Sequence, residues 1–152
     1  MEENSVFEKF ELQLDQTAKD FLRETIKWAY FLGIVGFVGI GLILAFAIFA
    51  GVIFSQLGST IPGMGIYGGS FGTIMSVIYF LMAALYFFPV YYLFKFAVNG
   101  KKAFKDNNSE ALTDSLGYLK SHYKFVGVLM ASIIVLYILL IVFGSLAALA
   151  AR

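Results

Sequence analysis

Few side chains in this sequence could carry out chemistry, and they lie far apart. The one histidine, His122, lies between Lys120 and Lys124, and the chain has no cysteine. A zinc site needs three or four His, Cys or carboxylate ligands, and a catalytic triad needs a nucleophile beside a base. His122 lacks both sets of partners. The sequence therefore predicts a solvated histidine, and no catalytic, cofactor-binding or metal site.

The other polar candidates belong to a glycine-rich stretch in the middle of the chain. Its hydroxyl side chains are Ser55, Ser59, Thr60 and Ser70. No base lies nearby in the sequence to activate them as nucleophiles. Gly63, Gly65 and Gly68 have the spacing of a dinucleotide-binding loop, but the β-strand that should precede such a loop is missing. We interpret the stretch as a connection.

The elements around these residues are unusually apolar. The 152 residues are 60% hydrophobic and 14% charged, with a mean hydropathy of +0.82. Soluble domains are about 45–50% apolar and about 25% charged. Residues 28–94 contain no Asp, Glu, Lys, Arg or His. These values argue against a water-soluble domain and a disordered chain, and the net charge of +1 gives no general attraction to nucleic acid.

Three apolar runs divide the chain, at residues 28–54, 71–98 and 125–150. Each exceeds the roughly 20 residues that a helix needs to cross the hydrocarbon core. The first run follows 27 polar-rich residues, unlike a cleaved signal peptide. The sequence predicts one all-α integral membrane domain with three transmembrane helices plus two cytoplasmic amphipathic helices. The predicted amphipathic segments are residues 1–27 and 99–124, and residues 55–70 form the predicted extracytoplasmic loop.

The distribution of positive charge predicts the orientation. Residues 1–27 contain four Lys or Arg and residues 95–124 contain six, whereas residues 55–70 contain none and the C-terminus has Arg152 alone. Lys and Arg accumulate in cytoplasmic segments of membrane proteins. The N-terminus and the second connection are therefore predicted to be cytoplasmic.

The N-terminal arm has a helical pattern. Apolar residues recur at steps of three and four, which predicts one stripe on a helix. The stripe contains Phe7, Phe10, Leu14 and Phe21. Helices that lie on anionic lipid are usually rich in Lys and Arg, and this arm carries seven acids against four bases. The pattern favours packing on protein, with the membrane surface as the alternative.

The second connection has a similar pattern. Asn107 and Glu110 have the spacing of a capping box, which predicts a helix over residues 109–123 that enters the third span. Its stripe contains Leu112, Leu116 and Leu119. Residues 95–124 carry six bases against three acids, so the arm and the connection have opposite charge. We expect their stripes to pack together, the alternative being two independent helices on the headgroups.

Small residues four positions apart allow membrane helices to approach closely. The candidate packing residues are Gly33, Gly41, Ala45 and Gly51 in the first span and Gly127, Ala131, Gly144 and Ala148 in the third. Packing within one chain and self-association both use such residues, and the spacing alone does not separate them.

The second span is rich in aromatic residues and contains Pro89. Proline removes one hydrogen bond of the helix, so we expect a kink there. Two interpretations are open. The kink forms either a surface for helix packing or a groove for a lipid or another hydrophobic ligand.

The entry to the first span reads Ile26-Lys27-Trp28-Ala29-Tyr30-Phe31-Leu32-Gly33-Ile34-Val35-Gly36-Phe37. The second span contains Phe88-Pro89-Val90-Tyr91-Tyr92-Leu93-Phe94-Lys95-Phe96, and Leu119-Lys120 leads to Tyr123-Lys124-Phe125. In these segments the chain resembles a family of small polytopic membrane proteins of unknown function, found mainly in Bacteroidetes. The resemblance covers most of the chain outside residues 55–70. It implies a location in the bacterial cytoplasmic (inner) membrane and supplies no activity or site residue.

Taken together, these patterns predict a non-enzymatic protein, a structural or accessory subunit. It would act through helix packing with itself or with an envelope complex, in the lipid bilayer. The alternative is a passive oligomeric channel or a small transporter component. Its scarce polar lining would be Ser55, Gln56, Ser59, Thr60 and Ser76.

Overall fold

A computed structural model describes residues 15–60 and 68–150 of the chain. In these ranges the protein is all-helical and has no strand. Its three helices are α1 (Gln16–Thr60), α2 (Gly68–Asp106) and α3 (Ser109–Ala150). The predicted amphipathic segments are not separate helices as far as they are described. Residues 16–27 are the first turns of α1, and residues 109–124 are the first turns of α3.

All three helices are long and apolar enough to cross a membrane. Their most apolar windows have mean hydropathies of 2.7, 2.0 and 3.0 in chain order. With 45, 39 and 42 residues, each helix is also longer than the roughly 20 residues that a span requires. The excess is polar and lies at the start of α1, the end of α2 and the start of α3.

The helices form an antiparallel arrangement with α2 in the centre, packed against α1 on one side and α3 on the other. We call the end that holds Gln16 and the α2–α3 turn the proximal end. The opposite end, which holds Thr60 and Ala150, is the distal end. The charged ends of the three helices therefore meet at the proximal end.

The α2–α3 turn is short because two adjacent asparagines end one helix and begin the next. Asn107 has a φ of 48°, the left-handed conformation that ends many helices. The amide N–H of Asn108 donates to the carbonyl of Ala103 at 3.0 Å, and the Asn108 side chain accepts from the N–H of Ala111, also at 3.0 Å. Asn108 therefore caps α3. The predicted helix start is confirmed, but the capping role given to Asn107 was wrong, because Asn107 terminates α2 instead.

The described part of α1 begins at a similar cap. The carboxylate of Asp15 accepts from the N–H of Ala18 at 2.7 Å, the usual geometry of an N-cap. Of the predicted arm stripe, Phe7, Phe10 and Leu14 lie outside the described residues. Phe21 is 66% exposed, so its ring is not covered by the described part of the chain.

The predicted loop at residues 55–70 is shorter than expected. Helix α1 continues to Thr60, and α2 already begins at Gly68. Residues 61–67 lie outside the description. The prediction placed the loop ends wrongly because it interpreted all the glycines as turn residues. Gly58 and Gly72 are instead buried within the helices.

The best-packed part of the molecule lies near the proximal end. Ile26 and Ala29 of α1 form a buried cluster with Phe96 and Ala97 of α2. Partly buried side chains from all three helices surround it, namely Leu22, Tyr30, Leu93, Phe104, Tyr118 and Leu119. The end of the arm and the start of α3 thus both contact this core, whose centre is α2. The predicted packing of the two stripes on each other is not seen between the described residues, because Phe21 and Leu116 are exposed and α2 lies between the other two helices.

Candidate functional site

The α1–α2 contact is made by small residues that let the helix backbones approach. A Cβ atom added at Gly33 would lie 3.1 Å from the Cβ of Phe94, and one at Gly36 would lie 2.7 Å from a methyl of Val90. At Gly100 the added atom would lie 2.5 Å from the Cδ1 of Ile26. No larger residue fits these positions without movement of a neighbour. Sequence reasoning gave Gly33 but missed Gly100, whose role depends on the register of the two helices.

The same contact continues at the distal end. A Cβ atom at Gly72 would collide with the backbone carbonyl of Gly51 and lie 2.8 Å from the amide nitrogen of Ser55. One turn further along α2, the Ser76 hydroxyl donates to the carbonyl of Ala47 at 2.6 Å. Because backbone atoms line this contact, it tolerates even less change than the contacts at Gly33 and Gly36.

Two polar side chains of α3 bind backbone carbonyls of α2. The Ser115 hydroxyl is fully buried and donates to the carbonyl of Phe96 at 2.8 Å. Seven residues later, His122 Nδ1–H donates to the carbonyl of Pro89, also at 2.8 Å. The spacing of seven on both helices keeps the two bonds on the same face of each. These bonds fix the register of α3 against α2.

His122 differs from the prediction of a solvated side chain. Its ring is partly buried and held by the carbonyl of the proline within α2. Sequence reasoning missed this partner, because nothing in the local sequence places residue 122 opposite residue 89. Aromatic residues add to the contact of α2 with α3 close to His122. The ring centroids of Phe88 and Phe125 lie 5.7 Å apart.

We expect the substitution Ser115→Ala to lower the free energy of unfolding by about 0.5–1.5 kcal/mol, the net value of one intramolecular hydrogen bond. Ser121→Ala is the matched control on the same helix, because the Ser121 hydroxyl donates only to Gly117 within α3. Titration of the purified protein with denaturing detergent measures both. Equal stability of the two variants would contradict a stabilising role for the Ser115–Phe96 bond.

The eight predicted packing residues do not all have the same surroundings. Gly33 and Gly51 contact α2, as described above. Added Cβ atoms at Gly41, Gly127 and Gly144 would meet nothing within 4 Å, and Ala131 is exposed. Ala45 is partly buried, and the side chain of Ala148 is not described. Most of the small residues in α3 are therefore not used for packing against the described part of the chain.

The distal half of α3 is exposed in the described chain. None of its most apolar window is buried, and the side chains from Ile133 to Ala147 are exposed. Ala131 lies nine residues after His122, which is two and a half helical turns. It therefore points away from α2, and Gly127, one turn earlier, shares this outward face.

No family model, curated protein or solved structure matches this chain. The resemblance to the Bacteroidetes membrane proteins accordingly stays a prediction.

Three of the hydroxyls proposed to line a channel, those of Ser55, Thr60 and Ser76, are bonded to backbone carbonyls. Ser55 donates to Gly51 at 2.7 Å, and Thr60 donates to Leu57 at 2.8 Å. Ser76 donates across the helix contact, as described above. These bonds occupy the hydroxyl hydrogens, although the oxygens keep lone pairs. In the described residues, no three His, Cys, Asp or Glu side chains come together as a metal site would require.

An apolar groove lies between α1 and α2 close to Pro89. It has a volume of about 300 Å³, and its lining includes Ile40, Ala83, Phe87 and Phe88. The structure therefore has an apolar groove beside Pro89, as one of the two interpretations expected. It also has a packing contact there, between Phe88 and α3, as the other expected. Helix α2 continues through Pro89 without interruption.

Proposed function

We propose that this chain is a non-enzymatic protein of the bacterial inner membrane, crossing it three times with the N-terminus in the cytoplasm. It acts as a structural or accessory subunit through helix packing with itself or with a larger membrane complex. Support for the membrane location comes from the three long apolar helices. Support for the orientation comes from the Lys and Arg residues, ten of which lie in residues 1–27 and 95–124.

The observation that carries the proposal is the outward face of α3, which the described part of the chain does not cover. Helices α1 and α2 bury small residues against one another, whereas Gly127 and Ala131 present a smooth surface on the outward face of α3. Small residues at this spacing gain dispersion contacts only when another helix backbone comes close. A second helix on this face would cover the surface that the described part of the chain leaves exposed.

Cysteine cross-linking in native membranes tests this packing, because the natural chain has no cysteine to interfere. We expect Ala131→Cys to give a covalent dimer on mild oxidation. Ile133→Cys is the matched control, since it lies at nearly the same depth but about 200° around the helix. Dimer formation at residue 131 and not at residue 133 supports packing of the chain with itself.

The other outcomes are equally informative. Absence of a dimer together with a membrane partner that co-purifies at constant stoichiometry supports the larger complex. A monomer without any partner in mild detergent contradicts the proposal. Solute flux across liposomes that contain only the purified protein would favour the passive channel instead.

A further inference from the structure

Four basic side chains face one groove at the proximal end. Arg23 and Lys27 lie one turn apart on α1, and Lys101 and Lys105 lie one turn apart on α2. Because the helices are antiparallel, the two pairs stand on opposite walls. The groove between them has a volume of about 330 Å³, and Ile26 and Phe104 complete its lining.

The positive charge of the groove is only partly balanced by the described residues. The one ion pair in the described part of the chain joins Arg23 to Asp20 at 3.7 Å, with both side chains more than half exposed. Such an exposed pair is weak. Asp20 and Glu24 line the neighbouring surface, which they share with Arg23 and Lys27, and neither acid lines the groove itself. An anion in the groove would therefore lie among four basic side chains, and no carboxylate is among the lining residues.

Aromatic rings hold two of the cations in place without neutralising them. The Lys101 ammonium lies 3.1 Å from the centroid of the Tyr30 ring, and the Arg23 guanidinium lies 5.0 Å from that of Phe104. Cation–π contacts of this kind position a cation but leave its charge available to a ligand. These two side chains are thus already ordered, so they lose less conformational entropy when an anion binds.

The position of the groove favours a lipid over a dissolved anion. Trp28 is 60% exposed and directly follows Lys27, where the first apolar run begins. Tryptophan prefers the boundary between headgroups and hydrocarbon, so the groove lies at headgroup level in the proposed topology. The apolar lining from Ile26 and Phe104 suits the glycerol and upper acyl region of a lipid, which inorganic phosphate lacks.

We propose that Arg23, Lys27, Lys101 and Lys105 bind the phosphate of an anionic phospholipid in the cytoplasmic leaflet. Basic pockets between membrane helices on the cytoplasmic side are suited to such headgroups. The proposal depends on the membrane orientation given above but not on self-association. The sequence alone favoured packing of the N-terminal arm on protein over lipid, because the arm is acidic overall. The site emerges only when residues of two helices are brought together.

The test uses the full chain, purified in mild detergent, and counts the phosphatidylglycerol molecules that it retains in native mass spectrometry. The groove variant carries Arg23→Gln, Lys27→Gln, Lys101→Gln and Lys105→Gln. The control variant carries Lys19→Gln, Lys102→Gln, Lys120→Gln and Lys124→Gln, which removes the same charge from the same end. We expect the groove variant to retain at least about tenfold less phosphatidylglycerol than the natural chain, and the control less than about threefold less.

Four results would overturn the proposal, and the first three concern lipid retention. These are equal losses in the two variants, unchanged binding in the groove variant, or equal retention of phosphatidylcholine by the natural chain. Competition by millimolar inorganic phosphate would assign the site to a dissolved anion and would also contradict a lipid ligand.

A third variant distinguishes loss of binding from loss of folding. It carries Arg23→Lys, Lys27→Arg, Lys101→Arg and Lys105→Arg. It keeps every charge, so we expect it to retain lipid. Removal of four like charges relieves repulsion, so the groove variant should unfold at no lower detergent concentration than the natural chain. The cross-linking experiment with Ala131→Cys is carried out on the same preparations. If no dimer forms, the proposed self-association fails but the lipid-binding result still stands.

Discussion

The substitution Phe96→Ala is expected to cause the largest loss of stability of any single side-chain truncation in the described chain. Phe96 is fully buried at the centre of the proximal cluster, in contact with elements of all three helices. Truncation of a buried Phe to Ala costs about 3–5 kcal/mol, because the transfer energy is lost and a cavity remains. The proximal end is then expected to open before the rest of the α1–α2 contact.

The control is Phe46→Ala, which makes the same change at a side chain that is 65% exposed on α1. Because the chain packs little against Phe46, we expect a loss below about 1 kcal/mol. Titration with denaturing detergent, followed by the fluorescence of the single tryptophan, compares the two variants. Similar losses at both positions would show that the proximal cluster does not hold the helices together.

The second large effect is expected from Gly72→Ala, although it adds only one methyl group. The new Cβ would meet the carbonyl of Gly51 and the amide nitrogen of Ser55, which are backbone atoms and cannot rotate away. The helices must separate, which also stretches the Ser76–Ala47 hydrogen bond. Overpacking of this kind costs about 1–3 kcal/mol.

Gly41→Ala is the matched control within α1. An added Cβ there meets nothing within 4 Å, so only the helix propensity changes. Alanine is better than glycine in a helix by about 1 kcal/mol, and we expect this variant to be neutral or more stable. The same detergent titration measures both variants. Destabilisation of equal size in the two would contradict the close distal contact of α1 with α2.

The sequence predicts the three long apolar helices because their length and hydropathy are local properties. The start of α3 at Ser109 is predicted for the same reason, since a cap acts over three residues. The ends of the loop at residues 55–70 were not predicted. Whether a glycine is a turn residue or a packing residue depends on what lies opposite, and for Gly72 that is Gly51.

The packing site was predictable only in part. The spacing of Gly33 and Gly51 marks smooth helix surfaces, but spacing does not tell which helix will cover them. Gly127 has the same pattern and no neighbour in the described chain. Contacts such as that of His122 with Pro89 require the register of two helices, which the sequence does not state.

The basic groove could not be predicted either, because it also depends on the register of two helices. Arg23 and Lys27 occur in an arm with excess negative charge, which favoured packing on protein over lipid. Lys101 and Lys105 occur in the other polar segment. The antiparallel register places the two pairs face to face, so the local charge differs in sign from the charge of the arm.

The topology of the chain is the claim on which the proposed function and the lipid site both depend. Single cysteines at Asp20, Thr60 and Asn107 report it, because the natural chain contains none. Labelling of intact cells with a membrane-impermeant maleimide is predicted to reach Thr60 alone, and to reach Asp20 and Asn107 only after permeabilisation. Labelling of Asp20 and Asn107 from opposite sides, or of all three positions from one side, would contradict the account.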